Sequence, residues 1–234
     1  MGGVFKMNIT EKLMAMDPTL VQHNEGHWNE QYIEVPGGGT VGYSSFNDAG
    51  VEIEVGEFLY AMVRVLKPSH VLETGTHWGI GSAYMGQALK DNFSGSLDTL
   101  EFLPEIHERA KQRFAALDLL GVINPILMDA GKFNPTAEFP YQMMLLDTEP
   151  QTRFNELVRF FDCLTPGGYV FIHDLHRHMH QIENEEHGFA WPFGEIPAII
   201  KEWVSRGVLR PFHFPTPRGL TGFYKPREDD YNWR

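Results

Sequence analysis

The stretch Val71–Ser82, VLETGTHWGIGS, constrains this chain more than any other. Apolar residues run into three glycines, Gly75, Gly79 and Gly81, and helical spacing resumes after them to about Lys90. Glycines between a strand and a helix let the backbone turn tightly and approach a ligand closely. The alternation then repeats. Ser96–Glu101 reads as a strand, and Pro104 opens a helix whose buried stripe is Ile106, Ala110, Phe114 and Leu117. Asn124–Met128 and Gln142–Leu146 read as strands, the spacing from Phe154 to Leu164 predicts a helix, and Pro166-Gly167-Gly168 turns the chain into a strand over Tyr169–His173. Upstream, Val55, Phe58, Leu59, Met62, Val63 and Leu66 predict a helix stopped by Lys67-Pro68-Ser69. Downstream, a helix over Ile196–Arg206 precedes strands at Leu209–Phe214 and Leu220–Lys225. Strands joined by helices through short loops call for right-handed crossovers. The expected fold is α/β: a Rossmann-like, doubly wound, mostly parallel seven-stranded sheet with an antiparallel C-terminal hairpin.

Residues 1–50 are less regular, rich in Gly, Asn and His, with Pro36-Gly37-Gly38-Gly39 as a joint. They read as an N-terminal extension placed to cover a site, and residues 51–234 as the functional domain. A net charge of −12 repels a phosphate backbone, and the Lys and Arg residues form no basic run, so nucleic acid is not an expected partner. The single cysteine, Cys163, rules out a disulfide within the chain and reads as a small buried apolar residue. No apolar run approaches the roughly 20 residues that cross a membrane, and the first residues lack a signal-peptide pattern. The expected setting is cytoplasmic.

Carboxylates mark the ends of successive predicted strands. Glu73 stands just before the glycine loop, Glu101 ends the second strand, and Asp129-Ala130 follows the third. That edge is where α/β sheets bind ligands. An acid in the place of Glu101 can accept both hydroxyls of a ribose, and Asp129-Ala130 lies where an adenine edge would come. The Gly-x-Gly-x-x-Gly spacing of nicotinamide sites is not met, and a carboxylate facing a pyrophosphate is unfavourable. A nicotinamide-dependent oxidoreductase is therefore the weakest of three readings.

From Val51 to about Leu175 the chain resembles the class I S-adenosylmethionine-dependent methyltransferases. Within them it is similar to the metal-dependent O-methyltransferases: the catechol and caffeoyl-CoA types, and the macrocin O-methyltransferase and cephalosporin hydroxylase groups. Their glycine motif, Glu-x-Gly-Thr-x-x-Gly-Tyr-Ser, appears as Glu73-Thr74-Gly75-Thr76-His77-Trp78-Gly79-Ile80-Gly81, with Ile80 and Gly81 departing from Tyr and Ser. Leu164–Tyr169, LTPGGY, matches the turn before their fifth strand. The resemblance implies S-adenosylmethionine as cofactor, held by Glu73, Gly75, Thr76, Gly79, Ser82, Glu101, Phe102, Asp129 and Ala130.

It also implies a reaction centre. MMLLDTEP ends in Asp147 and YVFIHDLH in His173-Asp174, where the resembled enzymes carry acidic metal ligands. Mg²⁺ or another divalent cation on Asp147, His173 and Asp174 would hold the acceptor hydroxyl beside the methyl group. The carboxyl groups of Asp147 and Asp174 are expected within about 6 Å of one another, since neighbouring strands lie about 4.8 Å apart. Neither acid has a basic partner close in sequence, although a distant one such as Arg218 can intervene. Leu175 stands where the caffeoyl-CoA type has Asn, and Pro150 where the family has Lys. Asp147, Glu149, His173 and His176 are the candidate catalytic groups, the last from a His-rich stretch over 173–187 that reads as a substrate-covering loop. The leading reading is O-methylation of a small hydroxylated molecule with metal assistance. The second is a cephalosporin hydroxylase-like enzyme on the same fold. The partners considered are a small-molecule acceptor and a second copy of the chain in a homodimer, with no nucleic acid and no membrane.

Overall fold

A computed structural model describes residues 7–16, 21–23, 43–46, 50–135, 138, 140–149, 151–174, 196–214, 216 and 218–231. Helix α1 spans Ile9–Met16, and strands β1 (Val21–His23) and β2 (Tyr43–Ser45) pair antiparallel. Then come α2 (Ile53–Leu66), β3 (His70–Thr74), α3 (Ile80–Asn92), β4 (Ser96–Glu101), α4 (Pro104–Ala116), β5 (Ile123–Leu127) and β6 (Tyr141–Leu146). The chain continues through α5 (Arg153–Phe160), β7 (Leu164–His173), α6 (Ala198–Ser205), β8 (Arg210–Phe214) and β9 (Leu220–Tyr224).

The large sheet has seven strands in the order β5-β4-β3-β6-β7-β9-β8. β5, β4, β3, β6 and β7 run parallel, and β9 pairs antiparallel with both β7 and β8. The α/β sheet with its C-terminal hairpin is as the sequence led us to expect. Period-2 alternation divides the apolar side chains between two layers. Val71, Met143, Leu145 and Phe171 face a core built with Val55, Leu59, Tyr84 and Phe114 from α2, α3 and α4. Leu72, Met144, Leu146, Val170 and Ile172 face the other, built with Phe154, Leu157 and Phe160 of α5 and Ile200 of α6. Central strands buried on both faces explain their continuous apolar sequence.

The parallel strands end level. Thr74 pairs with Leu100 and with Leu146, Glu101 with Leu127, and Leu146 with Ile172. Residues just past each strand therefore gather along one edge, and the order reverses direction between β3 and β6 there.

Two expectations need revision. The first 50 residues hold more order than their composition predicts. Asn8 Oδ1 accepts from the Glu11 N–H at 2.8 Å, and Glu11 Oε2 accepts from the Asn8 N–H at 2.8 Å, a reciprocal capping box that starts α1. Ile9 and Leu13 of that helix, with Phe46, are buried in the same core as α2 and α3, and Thr10 and Tyr84 hydroxyls meet at 2.9 Å. The described part of the extension is thus packed on the outer helices. Strand β7 also starts earlier than Tyr169, because Leu164 already pairs with Tyr141 across a bulge. Pro166-Gly167-Gly168 lies inside the strand as that irregularity, with Gly167 at φ 85°. No helix among the described residues is long and apolar enough to cross a membrane.

Candidate active site

A cavity of about 740 Å³ opens along the level strand ends. Of the residues singled out in the sequence, Gly75, Glu101, Phe102, Asp129, Ala130, Asp147, Glu149 and Asp174 line it. Glu73, Thr76, Gly79, Ser82 and His173 stand behind that lining, and His176 lies outside the described residues.

One half of the cavity follows β3, β4 and β5. Gly75, at φ 81°, passes so close to the end of β6 that a Cβ there would lie 2.3 Å from the Asp147 carbonyl oxygen. Only glycine lets the loop cross the sheet at this level. Glu101 is buried and points its two carboxylate oxygens at main-chain donors, the His77 N–H at 2.9 Å and the Leu103 N–H at 3.0 Å. Each oxygen keeps a further lone pair for the cavity it lines. Asp129 Oδ1 accepts from the Gly131 N–H at 2.8 Å, which fixes the turn after β5 beneath Ala130.

Beneath the glycine loop lies a buried polar knot. Glu73 accepts from the hydroxyls of Ser82 and of Thr99, the latter at 2.5 Å, and Thr99 meets the Thr76 hydroxyl at 2.6 Å. Burial pushes the Glu73 carboxyl up to about 8, against the lowering effect of the two hydroxyls. A Cβ on Gly81 would lie 2.7 Å from Glu73 Oε1, so the Ser of the resembled motif has no room here. Ser82, the expected substitute for it, is turned inward to Glu73. The knot supports the loop from below.

The other half of the cavity follows β6 and β7. Asp147, His173 and Asp174 come together as expected, their donor atoms all within 4.8 Å of one another. They are joined by cations that local sequence spacing did not reveal. The Arg153 guanidinium, at the start of α5, lies 3.0 Å from Asp147 Oδ1 and 3.1 Å from Asp174 Oδ2. Arg218, from the turn between β8 and β9, meets Asp174 through Nε at 2.6 Å and Nη2 at 2.9 Å. His173 is fully buried. Its Nε2 is 2.5 Å from Glu52 Oε2, and its Nδ1 is 3.2 Å from Asp147 Oδ1. Burial works against charge on this ring, but Asp174, Asp147 and Glu52 outweigh it and raise its pKa to about 10. His173 is an imidazolium with both nitrogens engaged, which suits holding carboxylates rather than taking a proton. Burial would raise Asp174, yet His173, Arg218 and Arg153 hold it well below the usual carboxylate range. Glu52 is likewise lowered, because His173 and Arg218 overcome its burial. Three carboxylates thus face two guanidiniums and one imidazolium.

Besides Arg153, polar lining residues that the sequence reading did not single out include Glu156 and His77. Glu156 of α5 accepts from Thr74 at 2.7 Å and from Thr148 at 2.6 Å, and burial raises its carboxyl. His77 carries its positive φ of 47° within the glycine loop and stacks on Trp78, over which Arg109 lies at 3.6 Å.

Comparison with known proteins places this architecture. Residues 72–175 match the family described as a methyltransferase domain. Over that stretch the chain is similar to methyltransferase domains. The match runs from within β3 to just past the end of β7, the stretch that carries most of the cavity. No curated protein sequence matches the chain. Among solved structures, an O-methyltransferase of Bacillus cereus in complex with S-adenosylhomocysteine is similar, with a TM-score of 0.65, 13% identity, and 95% of this chain and 94% of that one covered. The O-methyltransferase TomG of Streptomyces achromogenes, in complex with S-adenosylmethionine, gives a TM-score of 0.62 and 18% identity over 77% of this chain and 83% of that one. A methyltransferase of Podospora anserina bound to S-adenosylhomocysteine gives 0.60 and 13% over 77% and 81%. At these identities the likeness is one of fold. The chain shares with them the α/β fold, whose sheet here sets Gly75, Glu101 and Asp147 on one edge.

Proposed function

We propose that this methyltransferase domain uses S-adenosylmethionine to methylate a hydroxyl of a small molecule. The observation that carries the reading is the single cavity joining the Gly75 loop and Glu101 to the acids Asp147 and Asp174. Glu101, fixed by two main-chain donors, is set to accept ribose hydroxyls. Asp129 and Ala130 border the place of the adenine, and the Gly75 loop that of the amino-acid part. When bound, the cofactor supplies a methyl group on a sulfonium whose C–S bond breaks with its electron pair passing to sulfur.

The chain's own residues do the rest. Asp147 and Asp174 hold the acceptor hydroxyl in line with the methyl group, so that its oxygen forms the new C–O bond. Asp147 takes the released proton, because Arg153 and His173 contact only its Oδ1 among the described residues. Glu149, exposed at the rim, is the next carboxylate along the cavity. The divalent ion that the resemblance implies has donors of the right type in Asp147, His173 and Asp174. They do not fit it as arranged, because each carboxylate is already paired with a guanidinium and both ring nitrogens face carboxylates. No step is therefore routed through an ion.

A net charge of −12 and a cavity lined by acids favour a small acceptor over nucleic acid. Titration calorimetry with S-adenosylmethionine, with NAD as control, tests the cofactor, and a methyl-transfer screen over phenols and sugars tests the acceptor. Binding of NAD in place of S-adenosylmethionine, or a gel shift with duplex nucleic acid at physiological salt, would overturn the reading.

A further inference from the structure

We propose that Arg153 and Arg218 take the place of a divalent metal in this domain, so that its strand-end acids need no ion. The acids converge as they would around a cation; the Arg153 guanidinium bridges Asp147 and Asp174, and that of Arg218 pairs with Asp174. Both are anchored independently of those acids. Arg153 Nε donates to the Thr148 carbonyl at 2.8 Å, and its Nη1 donates to the His173 carbonyl. Arg218 Nη1 donates to the Gly50 carbonyl at 2.6 Å, while its main-chain N–H donates to Glu52 Oε1 at 3.1 Å. Admitting an ion would require these groups to leave main-chain partners as well as carboxylates, in a site where both side chains are at most 8% exposed. Buried groups deprived of such partners are strongly disfavoured.

The charges lead to the same result. Glu52, Asp147 and Asp174 are matched by Arg153, Arg218 and the His173 ring between carboxylates. A divalent ion would add two positive charges to a matched set. Guanidinium stays protonated throughout the accessible pH range, so the positive charge cannot be removed by chelation. The inference concerns the acid cluster alone and does not depend on the identity of the acceptor.

The test is a titration of the full chain with Mn²⁺, followed by the electron paramagnetic resonance signal of the free ion, with and without S-adenosylmethionine. The wild-type chain is expected to bind no ion below about 1 mM, the weak end of carboxylate cation sites. Arg218→Met leaves three acids on two cations and should bind Mn²⁺ at least tenfold more tightly, with Arg153→Met as the second variant should the first fail to fold. Uptake of one equivalent by the wild-type chain below about 1 mM overturns the proposal. A folded Arg218→Met and a folded Arg153→Met that both gain nothing also overturn it, because the guanidiniums would then not be what excludes the ion. Calorimetry with S-adenosylmethionine on the same samples reports the cofactor reading separately.

Discussion

Glu101 and Asp174 both follow parallel strands of one sheet and both line one cavity, yet they are held in different ways. Glu101 is fixed by two amide N–H groups, one from its own loop and one from the neighbouring one. Asp174 is fixed by Arg153 and Arg218, with His173 beside it, from three separate parts of the chain. Amides leave a carboxylate its charge and its outward lone pairs, which suits a binding contact. Guanidiniums neutralise it and fix its place, which suits alignment of a reacting group. On the proposed function, one edge of the sheet would serve cofactor and acceptor by changing what stands behind the acids.

The largest effect expected of this contrast is on stability. Arg153→Met should cost about 3–5 kcal/mol in denaturant unfolding, the usual loss when one partner of a buried ion pair is removed. Glu101→Gln should change stability far less, because an amide oxygen still accepts one of the two N–H groups. Equal losses in the two variants would erase the distinction between the halves.

Function should divide along the same line. Asp174→Asn is expected to lower turnover by about a hundredfold, the scale of a misplaced reacting group, while leaving S-adenosylmethionine affinity nearly unchanged. Glu101→Ala is the converse. It should weaken that affinity by about 1–3 kcal/mol, the value of hydrogen bonds to a charged group, and calorimetry reads it directly. An Asp174→Asn variant that loses cofactor binding and turnover together would place Asp174 on the cofactor side.

The same contrast explains what was legible in the sequence. β3 and β4 end at Thr74 and Glu101, just before the turn signals Gly75 and Pro104, although Glu73, Asp98 and Thr99 interrupt their apolar sequence. The position of Glu101 was readable because it rests on the end of a strand. Of the partners around Asp174, Arg218 was named as a distant candidate and does meet it from 44 positions away, whereas Arg153 and Glu52 meet it or its neighbours only through the folded sheet and were not singled out. A signal did exist for Arg153. It opens α5, where the helix dipole disfavours a cation, so a buried acid nearby was the natural explanation. Glu52, just before α2, gave no such sign. Helix α1 was missed although Asn8 and Glu11 have capping-box spacing, because the surrounding Gly-rich composition dominated the reading.

The last effect belongs to Glu73, which tests whether the half of the cavity over the glycine loop is also under electrostatic load. Its carboxyl has a pKa of about 8 in the folded chain against 4.5 without the fold, because burial penalises its charge. The folded chain therefore holds this proton more tightly than the unfolded one. The contribution to stability is complete at pH values below the unfolded pKa and is lost as pH rises through the folded one. Glu73→Gln is neutral throughout and fits the same space beside Gly81. Its amide oxygen can accept from Ser82 or Thr99, and either hydroxyl can rotate to receive the amide N–H. The wild-type melting temperature should fall from weakly acidic to weakly alkaline pH, while that of Glu73→Gln stays flatter over the same range. The gap between them should widen with pH. Parallel curves would mean that burial does not penalise the charge of Glu73, and the two halves of the cavity would then differ only in their arginines.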